Sequence, residues 1–223
     1  MKEIKIKHTD VFFTSDLHLA HDKEFIWKSR GFSSSEDHFE GMIKNWNKTV
    51  SETSDVFILG DTAFKDGGGE KISRLINSVK FNNLYLMPGN HPSGYSHLYK
   101  KALKENFPKV HEMELNVFPL AAKINKRNII FLPNYFEIRI LGVDIILCHF
   151  PIISHNKMQR NSIHLCGHSH HSNKITNMIG GQGKRLDVGV DYFKKPISWK
   201  EVLTILKDRD IDSWDHHSAK LEE

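Results

Sequence analysis

Cysteine and long apolar runs are both scarce in this 223-residue chain. Its two cysteines, Cys148 and Cys166, are too few for a disulfide framework, and the expectation is a reducing, cytoplasmic setting. No stretch approaches the roughly 18 apolar residues that a membrane span requires, and the N-terminal MKEIKIKHTD carries no apolar signal core. A dominant charge is missing too: 31 Lys and Arg stand against 27 Asp and Glu, a net +4 with a pI near 8.9. This spread-out basicity suits an anionic substrate but does not by itself indicate nucleic-acid binding. There is no internal repeat, low-complexity linker or composition break. One mixed α/β domain over residues 1–223 is therefore expected, with a polar tail from about residue 208.

Histidine is abundant: fifteen are present where about five would be usual for this length. Several follow short apolar runs that end in Gly, Pro, Asp or His. These runs are VFFTSD (Val11–Asp16), DVFILGD (Asp55–Asp61), NLYLMPG (Asn83–Gly89), DIILCHF (Asp144–Phe150), IHLCGH (Ile163–His168) and RLDVGVD (Arg185–Asp191). Short continuous runs of this kind predict buried strands. Helical spacing of Phe39, Met42, Ile43 and Trp46, and of Ile72, Leu75, Ile76 and Val79, predicts helices between the first three; a third begins near Gly94 and stops before Pro108. The N-terminal half thus alternates strand and helix, which implies parallel pairing. From Val110 to Phe150 the pattern turns to strands with short connections: VHEMELNVF, NIIFL, YFEIRI and VDIILCHF, with a hairpin at Leu141-Gly142. Ser198 and Glu201 are spaced as a capping box at the start of a last helix.

Residues able to bind metal sit at the strand exits: Asp16 and His18, then Asp61, then Asn90 and His91, then His149, then His168 and His170. In an α/β sheet the carboxyl ends of the strands share one crevice, so residues distant in sequence converge there. Carboxylates, an amide and imidazoles form a mixed oxygen and nitrogen set suited to Mn, Fe, Zn, Ni or Co. Each short motif alone is commonplace, but five in order on strand exits are not a coincidence.

The order Asp-x-His, Gly-Asp, Gly-Asn-His, His, Gly-His-x-His, from Asp16 to His170, resembles the calcineurin-like metallophosphoesterase superfamily. The flanking DLHLAH, NWN and VGVDYFKKPIS are similar to its small bacterial and phage members. The resemblance implies two mixed β-sheets packed as a sandwich flanked by helices. It implies two divalent metal ions, Mn2+ foremost. Asp16, His18, Asp61 and His170 would hold one and Asp61, Asn90, His149 and His168 the other, with Asp61 bridging. It implies hydrolysis of a phosphate ester by a metal-activated hydroxide, with His91 on the phosphate and leaving group and Asn90 also near the substrate.

The family loop commonly places an acid after Gly-Asn-His; here that residue is Pro92, which leaves the orienter of His91 open. His21 and Arg30 are further candidates to touch substrate, against a surface histidine and a solvated arginine. Cys148 and Cys166 are expected in the core, Trp27 and Trp46 in helix packing, and the remaining histidines on the surface or in packing. A structural zinc site of Cys148, His149, Cys166 and His168 leaves Asp16, Asp61 and Asn90 unexplained. Substrate class stays open among nucleotide phosphodiesters, phosphomonoesters and nucleic acid. The basic KMQR in the loop at 155–162 leans slightly toward a nucleotide or extended polyanion. A catalytically silent metal-binding scaffold is the reading from another class.

Overall fold

The short apolar runs form the strands of two mixed sheets, in a computed structural model that describes residues 4–19, 21, 23–64, 67–108, 117–172 and 183–210. The strands are β1 (Ile4–Ile6), β2 (Val11–Thr14), β3 (Asp55–Ile58), β4 (Asn83–Leu86), β5 (Leu120–Ile124), β6 (Arg127–Phe131), β7 (Tyr135–Ile140), β8 (Val143–Cys148), β9 (Ile163–Cys166), β10 (Arg185–Asp187) and β11 (Ile197–Ser198). The helices are α1 (Glu24–Ser29), α2 (Ser35–Thr49), α3 (Gly68–Ser78), α4 (Ser93–Asn106), α5 (Val190–Phe193) and α6 (Trp199–Leu206). One sheet runs β1-β7-β8-β9-β10 and the other β11-β2-β3-β4-β6-β5. In the second sheet β2, β3, β4 and β6 pair in parallel, as the strand–helix alternation requires.

Two cores result. Val11, Phe13, Phe57, Leu59 and Tyr85 of the second sheet pack with Ile138, Ile145, Leu147 and Leu165 of the first, which makes the sandwich. The opposite face of the second sheet, through Phe12, Val56, Ile58 and Leu84, is covered by Phe39, Met42 and Trp46 of α2, Ile72, Leu75 and Ile76 of α3, and Leu98 of α4. The period-2 alternation of the parallel strands supplies both faces at once. Ser198 and Glu201 form the expected reciprocal capping box of α6.

Several boundaries differ from the sequence reading. The strands stop at Thr14, Ile58, Leu86, Cys148, Cys166 and Asp187, one to four residues before Asp16, Asp61, Asn90, His149, His168 and Asp191. The stretch Arg185–Asp191 is not one strand, since Val190–Phe193 is helical. Of VHEMELNVF, residues 110–116 lie outside the described residues, and Val117 and Phe118 precede a cis peptide to Pro119. Strand β5 follows instead, joined to β6 by Asn125-Lys126 with φ 51° and 66°, a tight turn that the Ala-Ala-Lys pattern did not announce. Trp46 is buried as expected, whereas Trp27 on the short α1 is only half-buried, beneath the Lys28 ammonium.

Candidate metal centre

Parallel pairing carries the carboxyl ends of β2, β3 and β4 to one edge, and the loops that follow keep pairing beyond the strands. Asp16 N–H donates to Gly60 O, His18 N–H to Asp61 O, and Leu19 N–H to Thr62 O. The first sheet brings β8 and β9 to the same edge, where the backbone N–H of His168 donates to Asp16 Oδ2 at 2.9 Å.

Side chains converge in two groups. Around Asp16 Oδ1 lie His18 Nε2 at 3.8 Å and His170 Nε2 at 3.9 Å, with the two imidazole nitrogens 3.3 Å apart. On the other side, Asn90 Oδ1 is 2.9 Å from His149 Nε2 and 2.9 Å from His168 Nδ1. Asp61 stands between them: its Oδ2 is 3.7 Å from His18 Nε2 and 3.5 Å from His149 Nε2. Asp16, His18 and His170, and separately Asp16, Asp61 and His149, have ligand atoms close enough together to share an ion.

Three observations fit a cation to these groups. Asp16 Oδ1 is buried with no hydrogen-bond partner, and burial pushes the Asp16 carboxyl up to about 6, against the lowering effect of His149 and His170. Burial likewise pulls His18 down to about 3, so its ring is held neutral, the state a ligand needs. Nδ1 of His149 donates to Leu59 O at 2.8 Å, which leaves Nε2, facing Asp61 and Asn90, as the atom that can take a cation in exchange for its proton. Burial raises the Asp61 carboxyl, but the hydrogen bond and charge of His149, the His91 N–H and His18 outweigh it and hold it at about 2.

The backbone is strained at the same place. Asp16, His18, Asp61, His168 and His170 all have positive φ, between 47° and 67°. This left-handed region is uncommon outside glycine, though Asp and His enter it more readily than most residues, and it persists where surrounding structure over-determines it. It explains why the strands end early: each chain turns sharply so that its polar side chain points into the crevice. Gly60 (φ 105°) makes one such turn possible, because a Cβ there would fall 2.5 Å from His149 Nδ1.

His91 lies half-buried at the rim, its N–H donating to Asp61 Oδ1 at 3.0 Å. Its ring is edge-on to Phe64 at 4.6 Å and to His18 at 5.9 Å, so aromatic packing orients it where the sequence has Pro92. His21 is buried instead of lying on the surface. It accepts the N–H of Lys23 and packs on Phe64, 6.0 Å from the His18 ring. Arg30 departs from both expectations. It is buried, and its fork donates to Asp191 and to the carbonyls of Asp16 and Leu17, so the guanidinium is occupied within the protein instead of facing solvent or phosphate. Cys148 and Cys166 are buried and free, and burial raises both thiols, which disfavours a thiolate site. His171 turns away, stacked on Tyr192.

Sequence reasoning missed Asp187, Asp191 and Phe64. Asp187 accepts the Ser169 hydroxyl and the Gly189 N–H, which braces the loop carrying His168 and His170. Asp191 accepts His170 Nδ1–H at 2.7 Å. Both acids leave the sixth apolar run, and the strand-exit criterion used for the other motifs would have found them.

A two-sheet αββα sandwich with this carboxylate, amide and imidazole crevice defines a metallophosphoesterase architecture. The chain matches the calcineurin-like phosphoesterase family over residues 9–214 and belongs to it. Among curated proteins it is similar to the uncharacterized protein MJ1445 of Methanocaldococcus jannaschii, 28% identical over 81 residues, 36% of this chain. The match covers 46% of that protein, so the chain spans a little under half the length of this relative. In fold it is similar to AQ665 of Aquifex aeolicus, a solved protein of unknown function, with TM-score 0.58 and 18% identity over 87% of this chain and 98% of that one. Among the described residues, no helix is long and apolar enough to cross a membrane.

Proposed function

We propose that this protein hydrolyses a phosphate ester with the help of two divalent cations, Mn2+ first among them, and that its substrate is a phosphodiester of nucleotide type. The seating of Asp61 carries the reading: one buried carboxylate oxygen faces His18 on one side and His149 on the other. Asp16, His18, Asp61 and His170 would hold one cation, and Asp61, Asn90, His149 and His168 the second. When bound, such a pair supplies a nucleophile from water near neutral pH and neutralises charge that develops on the phosphoryl oxygens. Asp61 keeps its charge over the working range because its carboxyl is held low. His91 binds the phosphoryl group and gives a proton to the departing oxygen, its ring steadied by Phe64. Asn90 and His91 together meet the substrate; His21 supports that end of the crevice through its packing on Phe64.

Exposed aromatic rings support the nucleotide class. Phe150 lies 4.7 Å from the His168 ring and Phe25 5.5 Å from His21. Both are exposed, and flat apolar faces beside a phosphate site suit a base. The decisive experiment strips the protein of metal and titrates Mn2+ in the presence of a generic aryl phosphate ester. Activity should appear; folded protein that gains none with any transition metal would overturn the reading. A panel of nucleotide diesters, monoesters and single-stranded DNA then tests the class, and turnover of monoesters alone would refute the diester assignment.

A further inference from the structure

One half-buried ion pair ties the first and last motifs of the site together. Arg30 donates from Nε to Asp191 Oδ1 at 3.0 Å and from Nη2 to Oδ2 at 2.9 Å. The same guanidinium donates to Asp16 O at 2.8 Å and Leu17 O at 2.9 Å, and to His38 Nε2 at 3.0 Å. Asp191 Oδ2 also receives His170 Nδ1 at 2.7 Å, while His170 Nε2 points back to Asp16 Oδ1 and His18 Nε2. The circuit is closed: the Asp16–Leu17 backbone, Arg30, Asp191, His170, and Asp16 again.

The chemistry of these groups fixes one proton. A guanidinium has donors alone and an ionised carboxylate acceptors alone. Nδ1 of His170 therefore carries a hydrogen, which leaves Nε2 as the ring atom that can bind a cation. Ion pairs taken out of water contribute little net stability relative to apolar replacements, whereas they fix orientation well.

We propose that Asp191 and Arg30 are positioning residues of the metal centre. Asp191 holds His170 in the Nδ1–H tautomer that makes Nε2 the ligand, and Arg30 locks the Asp16–His18 loop to the same carboxylate. The proposal rests on the metal reading above. It makes the isosteric Asp191→Asn change harmful for a specific reason. Arg30 donates to both oxygens and His170 shares one of them, so an amide in either orientation turns its NH2 toward a donor, and the carboxylate that holds Arg30 and His170 together is lost.

The test combines nitrogen-15 NMR of the histidine rings in metal-free protein at alkaline pH with Mn2+ titration calorimetry. Wild type should show the His170 proton on Nδ1, and Asp191→Asn should lose that preference and populate the Nε2–H form. Asp191→Asn should weaken the Asp16–His18–His170 site about 10- to 100-fold while the other site keeps its affinity. Asp191→Glu, which retains the acceptor, should restore part of the loss. A wild-type His170 protonated only on Nε2 would overturn the proposal even if no variant folds. Equal loss at both sites would overturn it as well, since it would mark a general structural defect. Unchanged affinity in Asp191→Asn would overturn this proposal alone. Absence of Mn2+ binding by the wild type would overturn the metal reading and this proposal with it.

Discussion

The carboxylate of Asp61 accepts the backbone N–H of His91 at 3.0 Å through Oδ1, which leaves Oδ2 to face His18 and His149. One side chain therefore sets the distance between the ion-binding groups and the residue assigned to the leaving group. Asp61→Asn keeps the shape but removes the charge. We expect the rise in melting temperature on adding Mn2+ to vanish in this variant; in the wild type, metal at a hundred times its Kd should contribute about 2.7 kcal/mol. A rise equal to that of the wild type would dismiss Asp61 as the bridge.

His91→Ala should lower kcat by about 10²- to 10⁴-fold, the usual contribution of a positioned general acid. Metal stoichiometry should not change, because the Asp61 contact uses only the backbone N–H of residue 91. The variant should also lose one limb of the pH–rate profile. If that profile is superimposable on the wild type, His91 is not the acid.

Strain at the centre predicts a separation of stability from binding. His168 has φ 67° and is half-buried; Asn tolerates that backbone better. His168→Asn should leave metal-free stability within about 1 kcal/mol of wild type or raise it, while Mn2+ affinity at the Asn90 site falls. Chemical denaturation with and without Mn2+ reads both quantities. A large loss of metal-free stability would show that the strained turn is held by His168 itself.

Phe150 is 44% exposed and packs edge-on against His149 and His168. If it stacks on a base, Phe150→Ala should cost about 1–3 kcal/mol of binding, read as a raised KM for nucleotide diesters. An alkyl phosphate ester should show no such change, and an equal change for both would assign Phe150 to packing instead.

Acid should destabilise the fold through His164. Its Nδ1 donates to Ile146 O and its Nε2 accepts the N–H of Ile152, both at 3.1 Å, so a second proton has no place, and burial pulls its pKa down to about 3. Unfolded, it titrates near 6.5. Between these values only the unfolded chain binds the proton, so stability is full above 6.5 and falls by about 1.4 kcal/mol per pH unit below it. Urea unfolding from neutral to mildly acidic pH should show a fall in wild type to which His164 contributes this slope, so that His164→Gln is shallower by one proton. Identical slopes would clear His164 of the effect.

The chain alone determined the strand–helix order, the parallel half and the seven ligand candidates. These are local features: a short apolar run, a turn and a polar residue leave their mark within a dozen positions. The weak strand β5 escaped because Ala-Ala-Lys alternates too little, and its turn relies on two residues with positive φ that are not glycine. Arg30 reads as a solvated side chain until its partner is known, and that partner, Asp191, lies 161 positions away. Tertiary structure alone decided that the guanidinium is buried, that aromatic packing orients His91 where the sequence has Pro92, and that the backbones of five candidate ligands are bent into the left-handed region. Each depends on groups brought together only when two sheets close against each other, and no spacing along the chain records such a meeting.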